Sequence, residues 1–244
     1  MKQFVSQIYH SASARNVGKL LSASVVAQAI GLLIYPILTR LYAPEDFGLL
    51  NLFCTIVNVL VIIATAEYQY AIVLPQEESK ARSMVHVCLL MLTAVIVFVS
   101  LTIPFAAPIA HLFKAPELAQ YWWLIPFSVL GLSLWNILNY WYIRQKSFNR
   151  ISGYQITQSI LSASGKIGFG SLGYLQSGMI VATVLAPLLS LAISIGLAWK
   201  KHMRALFSID KAQINSVARE YVNFPKFSLP EISVARIREN FFRI

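Results

Sequence analysis

Apolar positions in this chain fall in long uninterrupted runs, not in the alternation of a half-buried strand or the single stripe of a surface helix. Charge-free stretches extend from Leu20 to Thr39, Phe47 to Ala66, Met84 to Phe113 and Leu118 to Ile143. A fifth and less hydrophobic one runs from about Ser152 to Gly173, and a sixth from Met179 to Trp199, where Lys200 and Lys201 end it. At about 1.5 Å per residue, a helix of roughly 20 residues crosses a hydrocarbon layer about 30 Å thick. The pattern therefore predicts an all-α, polytopic membrane protein with six transmembrane helices. A Gly/Ser-rich turn, Gly173-Tyr-Leu-Gln-Ser-Gly178, separates the last two. The first run follows Lys2, Arg15 and Lys19 as a signal peptide would, but it is too long and lacks an A-x-A-like cleavage site, so an uncleaved span is expected.

After the sixth run the pattern changes. Asp210 is placed to cap a helix with Gln213 three residues on, and Ile214, Val217, Ala218, Tyr221 and Phe224 follow at helical spacing. Two readings fit: an amphipathic helix on the membrane surface, or a loop helix packed on the bundle. From Glu231 onward, Glu231, Arg236, Arg238, Glu239 and Arg243 exclude a simple membrane span. The predicted organisation is an N-terminal segment 1–19, a six-span lobe 20–199, an amphipathic segment 200–230 and an atypical charged tail 231–244.

Composition supports this division and narrows the function. Of 244 residues, 57% are hydrophobic and 12% charged, about half the charged share of soluble domains. Six spans and their connections use nearly the whole length, which leaves no room for a soluble catalytic domain. The net charge of +10 does not form one basic patch interleaved with aromatics, so nucleic acid is not an expected partner. The charge instead orients the chain: 14 of the 20 Lys and Arg residues lie in the N-terminal segment, the second and fourth connections and the stretch through Lys226, whereas the alternate connections carry Arg40 and Lys114. Cytoplasmic loops keep positive charge, so the N-terminus is expected in the cytoplasm. Cys54 and Cys88 lie in apolar runs without metal-site or redox spacing, and His86 and His111 are isolated, so structural roles, no metal and no cofactor are expected. The five tryptophans, Trp122, Trp123, Trp135, Trp141 and Trp199, fit interfacial belts.

Four segments carry a family resemblance. Ile37-Leu-Thr-Arg-Leu-Tyr-Ala-Pro-Glu-Asp-Phe-Gly48 and Glu67-Tyr-Gln-Tyr-Ala-Ile-Val-Leu-Pro75 are the more specific, with Tyr142-Ile-Arg-Gln-Lys-Ser-Phe148 and Tyr221-Val-Asn-Phe-Pro225 as weaker support. Together they resemble bacterial polysaccharide flippases, the Wzx-like O-antigen translocases of the MOP exporter superfamily. The resemblance implies one lobe of a MATE-like transporter of about twelve or more spans in two six-helix lobes. It also implies an undecaprenyl-pyrophosphate-linked oligosaccharide as substrate, a bacterial inner-membrane location, and the polysaccharide polymerase machinery as partner. A further apolar span is expected after Pro230, and the charged tail in its place suggests a truncated or frameshifted reading frame. On that reading, a second copy or a separately encoded second half completes the transporter. A membrane enzyme of polysaccharide assembly ranks lower, because the spans hold no paired acidic motif, and an inactive fragment is the remaining alternative.

A flippase makes no bonds; it shelters a polar headgroup while the lipid tail stays among membrane lipid. Polar stripes are thus the candidate chemistry. Ser24, Gln28, Gly31 and Tyr35 share one face of the first span, and Asn51, Thr55 and Asn58 one face of the second. Gln155, Ser159, Ser162 and Lys166 form the most polar stripe, on the fifth. The cavity candidates are Lys166, Ser162, Ser159, Gln155, Gln28, Asn58 and Arg40, weighed against a role for the small polar residues as helix glue. Lys166 stands first because a cation inside a bilayer is costly and faces a cavity or a partner; Glu67 is one partner to consider. Glu67 is also a candidate for ion coupling or an interfacial helix end, and Arg144, Lys146 and Arg150 are candidates to gather the anionic headgroup or to anchor the topology.

Overall fold

The computed structural model describes residues 12–198. Its helices are α1 (Ala12–Leu41), α2 (Pro44–Thr65), α3 (Tyr68–Ala71), α4 (Glu78–Leu101), α5 (Ala106–Leu112), α6 (Leu124–Arg144), α7 (Phe148–Ser171) and α8 (Leu175–Ala198), with no strand among the described residues. The protein is an all-α membrane protein. Four helical stretches, Gly18–Leu41, Pro44–Thr65, Glu78–Leu101 and Leu175–Leu197, are long and apolar enough to cross a bilayer. Helices α6 and α7, the other two expected spans, have 21 and 24 residues and thus sufficient length, but their Asn, Gln, Ser and Gly residues keep them from qualifying by composition. The segments expected around Asp210 and from Glu231 onward lie outside the described residues.

Two expected spans are shorter than their apolar runs. The run from Met84 to Phe113 breaks after Leu101 into a 3-10 turn, Ile103–Phe105, and the short α5. Pro104 has no N–H for a continuing helix, and Thr102 turns its hydroxyl back to the Val99 carbonyl at 2.6 Å while accepting the Trp122 indole N–H at 2.9 Å. The run from Leu118 likewise opens with a 3-10 segment, Pro116–Tyr121, and α6 begins at Leu124. The opposite correction applies to the Gly/Ser-rich turn, which is confined to Leu172–Tyr174, so that Gly178 lies inside α8.

The core sits among α2, α4, α6 and α8, where Phe53, Met84, Cys88, Ile125, Val129, Ile137 and Trp141 are buried. Helix α7 packs along α8, and α1 packs along α7. The α7–α8 connection is tight: a Cβ on Gly178 would stand 2.5 Å from Cβ of Phe169. Gly178→Ala is expected to cost about 1–3 kcal/mol through overpacking. Gly168→Ala, where an added Cβ meets nothing within 4 Å, should be neutral or stabilise α7 by up to about 1 kcal/mol. Thermal unfolding of the two variants in the same detergent checks the contrast.

Candidate functional site

Helices α1 and α7 are joined by a ladder of polar contacts. The Lys19 ammonium donates to Asn149 Oδ1 (3.3 Å) and the Ser152 hydroxyl to the Lys19 carbonyl (3.4 Å). Ser24 Oγ donates to Gln155 Oε1 (3.2 Å), Ser159 Oγ to the Ala27 carbonyl (2.8 Å), and the Tyr42 hydroxyl to the Lys166 carbonyl (2.6 Å). Partners advance in the same direction on both helices, so α1 and α7 run parallel. Gln155 and Ser159, expected in a cavity, are here the rungs that join two helices, as small polar residues commonly do within membranes.

The Tyr42 end is built by the residues around the first motif. Pro44 opens α2, where its missing N–H costs nothing, and the buried Asp46 carboxylate accepts the Ala43 backbone N–H at 2.9 Å. The turn delivers Tyr42, 4% exposed, into a cluster with Leu38 and Met179, and its ring fills the space beside Gly170. Burial first and the Asp46 charge second raise the Tyr42 phenol above its ordinary value, so the proton it donates stays on. Phe47 packs on Tyr35 and Tyr42, with ring centroids 5.9 and 6.4 Å away. Away from this end α1 makes no extended contact with α2, and the two helices diverge.

Lys166 stands near the point of divergence. Its ammonium has no hydrogen bond or ion pair among the described residues, and Cys54 on α2 is its titratable neighbour. Cys54 shares a helical face with Asn51, Thr55 and Asn58. Asn51 and Asn58 are exposed, and Thr55 bonds back to the Asn51 carbonyl at 2.8 Å. Lys166 and the polar stripe of α2 thus come together, with Ser162 half-buried one turn away and Gln28 exposed on α1. Arg40 is exposed in the last turn of α1. This constellation offers a cation and unbonded amides, groups suited to an anionic or hydroxyl-rich ligand.

The remaining candidates gather at the other end. Glu67 is 2% exposed and follows Ala66, with both residues in the left-handed region at φ 61° and 45°. It begins the short α3, beyond the far end of α2, about 33 Å from Tyr42 at 1.5 Å per residue. It is therefore buried within the protein at the end of a span and remote from Lys166, so the two do not pair. Arg144 is occupied: Nη1 donates to the carbonyls of Ile72, Val73 and Pro75 (3.3, 3.5 and 2.5 Å) and Nη2 to that of Gln76 (3.3 Å). The guanidinium holds together the segments of the second and third motifs, and the Tyr70–Tyr140 ring contact (4.9 Å) supports the same join. Lys146 is exposed at the turn with φ 54°. Arg150 lies against the Tyr142 ring, 5.7 Å from its centroid, and faces α8. The three cations expected to act together are thus divided among a clamp, a turn and a helix contact. His86 Nδ1 lies 2.9 Å from the Arg82 carbonyl of its own helix.

Sequence reasoning missed Tyr42 as the strap over α7 and Cys54 as the neighbour of Lys166. The first lay inside a quoted motif, but its partner is 124 residues away, and no local pattern encodes that distance.

A family model described as polysaccharide biosynthesis protein matches residues 37–227. The chain is also 24% identical over 232 residues to the succinoglycan biosynthesis transport protein ExoT of Rhizobium meliloti (strain 1021). That match covers 91% of this chain and 46% of ExoT, so the chain spans about half the length of this relative. No solved structure matches. The first three motifs, the Tyr42 turn and the Arg144 clamp all fall within the matched region, and the chain belongs to the polysaccharide biosynthesis protein family.

Proposed function

We propose that the chain forms one six-helix lobe of a transporter that moves lipid-linked oligosaccharide across the bacterial inner membrane for O-antigen, capsule or related surface polysaccharide. The observation that carries this reading is the unpaired ammonium of Lys166 beside the exposed polar face of α2, where α1 and α2 part. A half-buried cation without a partner is costly within a membrane, and an anionic sugar or pyrophosphate group offsets that cost when it binds there. The transporter name of ExoT supports movement of a substrate over bond chemistry.

On this reading α6 and α7 also cross the membrane. Parallel contacts tie α7 to α1 from Lys19 to Tyr42, so it extends through the same layer, with its polar face turned to α1 and to a cleft that we place where α1 and α2 part. The Arg144 end is cytoplasmic, since Lys19, Lys80, Arg82, Arg144, Lys146 and Arg150 gather there. The lobe works with a second one, supplied by more sequence, a second copy or a separately encoded half, and headgroup and polymerase machinery meet it at the two membrane faces. Deleting the gene should abolish surface polysaccharide while lipid-linked repeat units accumulate in the cytoplasmic leaflet. Surface polysaccharide at the wild-type level in the deletion strain would exclude this function.

A further inference from the structure

A cavity lies between α7 and α8 at the Arg144 end. It holds about 200 Å³ and is lined by Asn149, Arg150, Tyr154, Thr157, Ser194 and Leu197 among others. At about 100° per residue, Arg150, Tyr154 and Thr157 lie on the side of α7 opposite Ser159 and Lys166, so this cavity is separate from the cleft. Among the described residues no carboxylate lines it.

Two of its polar groups lack partners. Tyr154 is 3% exposed, and its hydroxyl makes no hydrogen bond. Its ring is fixed by stacking on Trp135, with centroids 3.4 Å apart and planes 6° from parallel. Nη1 of Arg150 is also buried without a partner. A buried hydroxyl or guanidinium N–H left unbonded forfeits its hydration with nothing in return, so both are arranged for an acceptor. The first turn of α7 adds its own free N–H groups, since Ser147 makes no side-chain cap, and its dipole favours an anion. Around these donors the walls are apolar, and Ile193 and Leu197 are exposed on the face of α8.

We propose that this cavity binds the phosphate of an anionic membrane lipid: Arg150 and Tyr154 hold the phosphate oxygens, Thr157 and Ser194 the neighbouring polar groups, and the acyl chain lies along Ile193 and Leu197. Charge-assisted donors at the head and an open apolar wall fit a phosphate tethered to a chain, whereas free phosphate leaves that wall unused. The proposal needs only α7 and α8 in the bilayer and does not depend on what the cleft transports.

The full chain in phosphatidylcholine nanodiscs, titrated with phosphatidylglycerol, tests it. At about 100 times its dissociation constant, the anionic lipid should raise the unfolding midpoint by roughly 5–10 °C. Native mass spectra should show it retained after detergent extraction. Arg150→Gln and Tyr154→Phe should each weaken binding by about 10-fold or more, with Arg150→Lys intermediate. If a variant folds poorly, retained lipid on its folded fraction gives the same comparison. Equal stabilisation by added phosphatidylcholine, by inorganic phosphate, or by polyprenyl phosphate with no response to phosphatidylglycerol would each overturn the proposal, as would unchanged binding in both variants.

Discussion

Lys166→Ala is expected to reduce oligosaccharide translocation by about 10–100-fold, the value of one charge-assisted contact in a desolvated site. Insertion and folding should be unaffected, because the seam with α1 uses the Lys166 carbonyl and not its ammonium. Lys166→Arg keeps the charge but substitutes a planar fork for a compact cation, and should retain a substantial part of the activity. The measurement is surface polysaccharide per membrane-inserted protein, with the substitutions made in a full-length transporter carrying this chain as its first half. Undiminished export by the alanine variant would make Lys166 a structural residue.

Arg144→Ala should act on the fold. One guanidinium holds four carbonyls of the Ile72–Gln76 segment, and its loss frees the turn that follows α3 and strips these acceptors of their donors. We expect a loss of about 2–4 kcal/mol, or a fall of roughly 5–15 °C in the unfolding midpoint. Arg144→Lys should recover less than half, since an ammonium on a flexible stem does not span four acceptors. If Arg144 served mainly to gather headgroups, the midpoint would stay within a degree or two and only transport would fall. Thermal unfolding of both variants, beside transport at matched protein level, distinguishes the roles.

The helices were legible where apolar runs are bounded by charge or proline. Both ends of α2 and the start of α8 lie within a few residues of their runs, because charge and turn residues interrupt an apolar run and composition reports them directly. The 3-10 interruptions near Pro104 and Pro116 were missed because an apolar run does not reveal where its backbone turns. The site was legible in part. Helical periodicity placed Ser24, Gln155 and Ser159 on shared faces, but whether a face meets a neighbouring helix or open space depends on contacts more than 100 residues apart. The same limit applies to Arg144, whose charge suggested an anion and whose acceptors are carbonyls about 70 residues back.

Reconstitution tests the central claim most directly. A full-length transporter containing this lobe, placed in liposomes with a fluorescent polyprenyl-pyrophosphate-linked saccharide in one leaflet, should transfer the headgroup to the other leaflet. The transfer should be faster than in protein-free vesicles and should fall with Lys166→Ala. Transfer no faster than in protein-free vesicles, with the protein inserted and folded, would contradict the account.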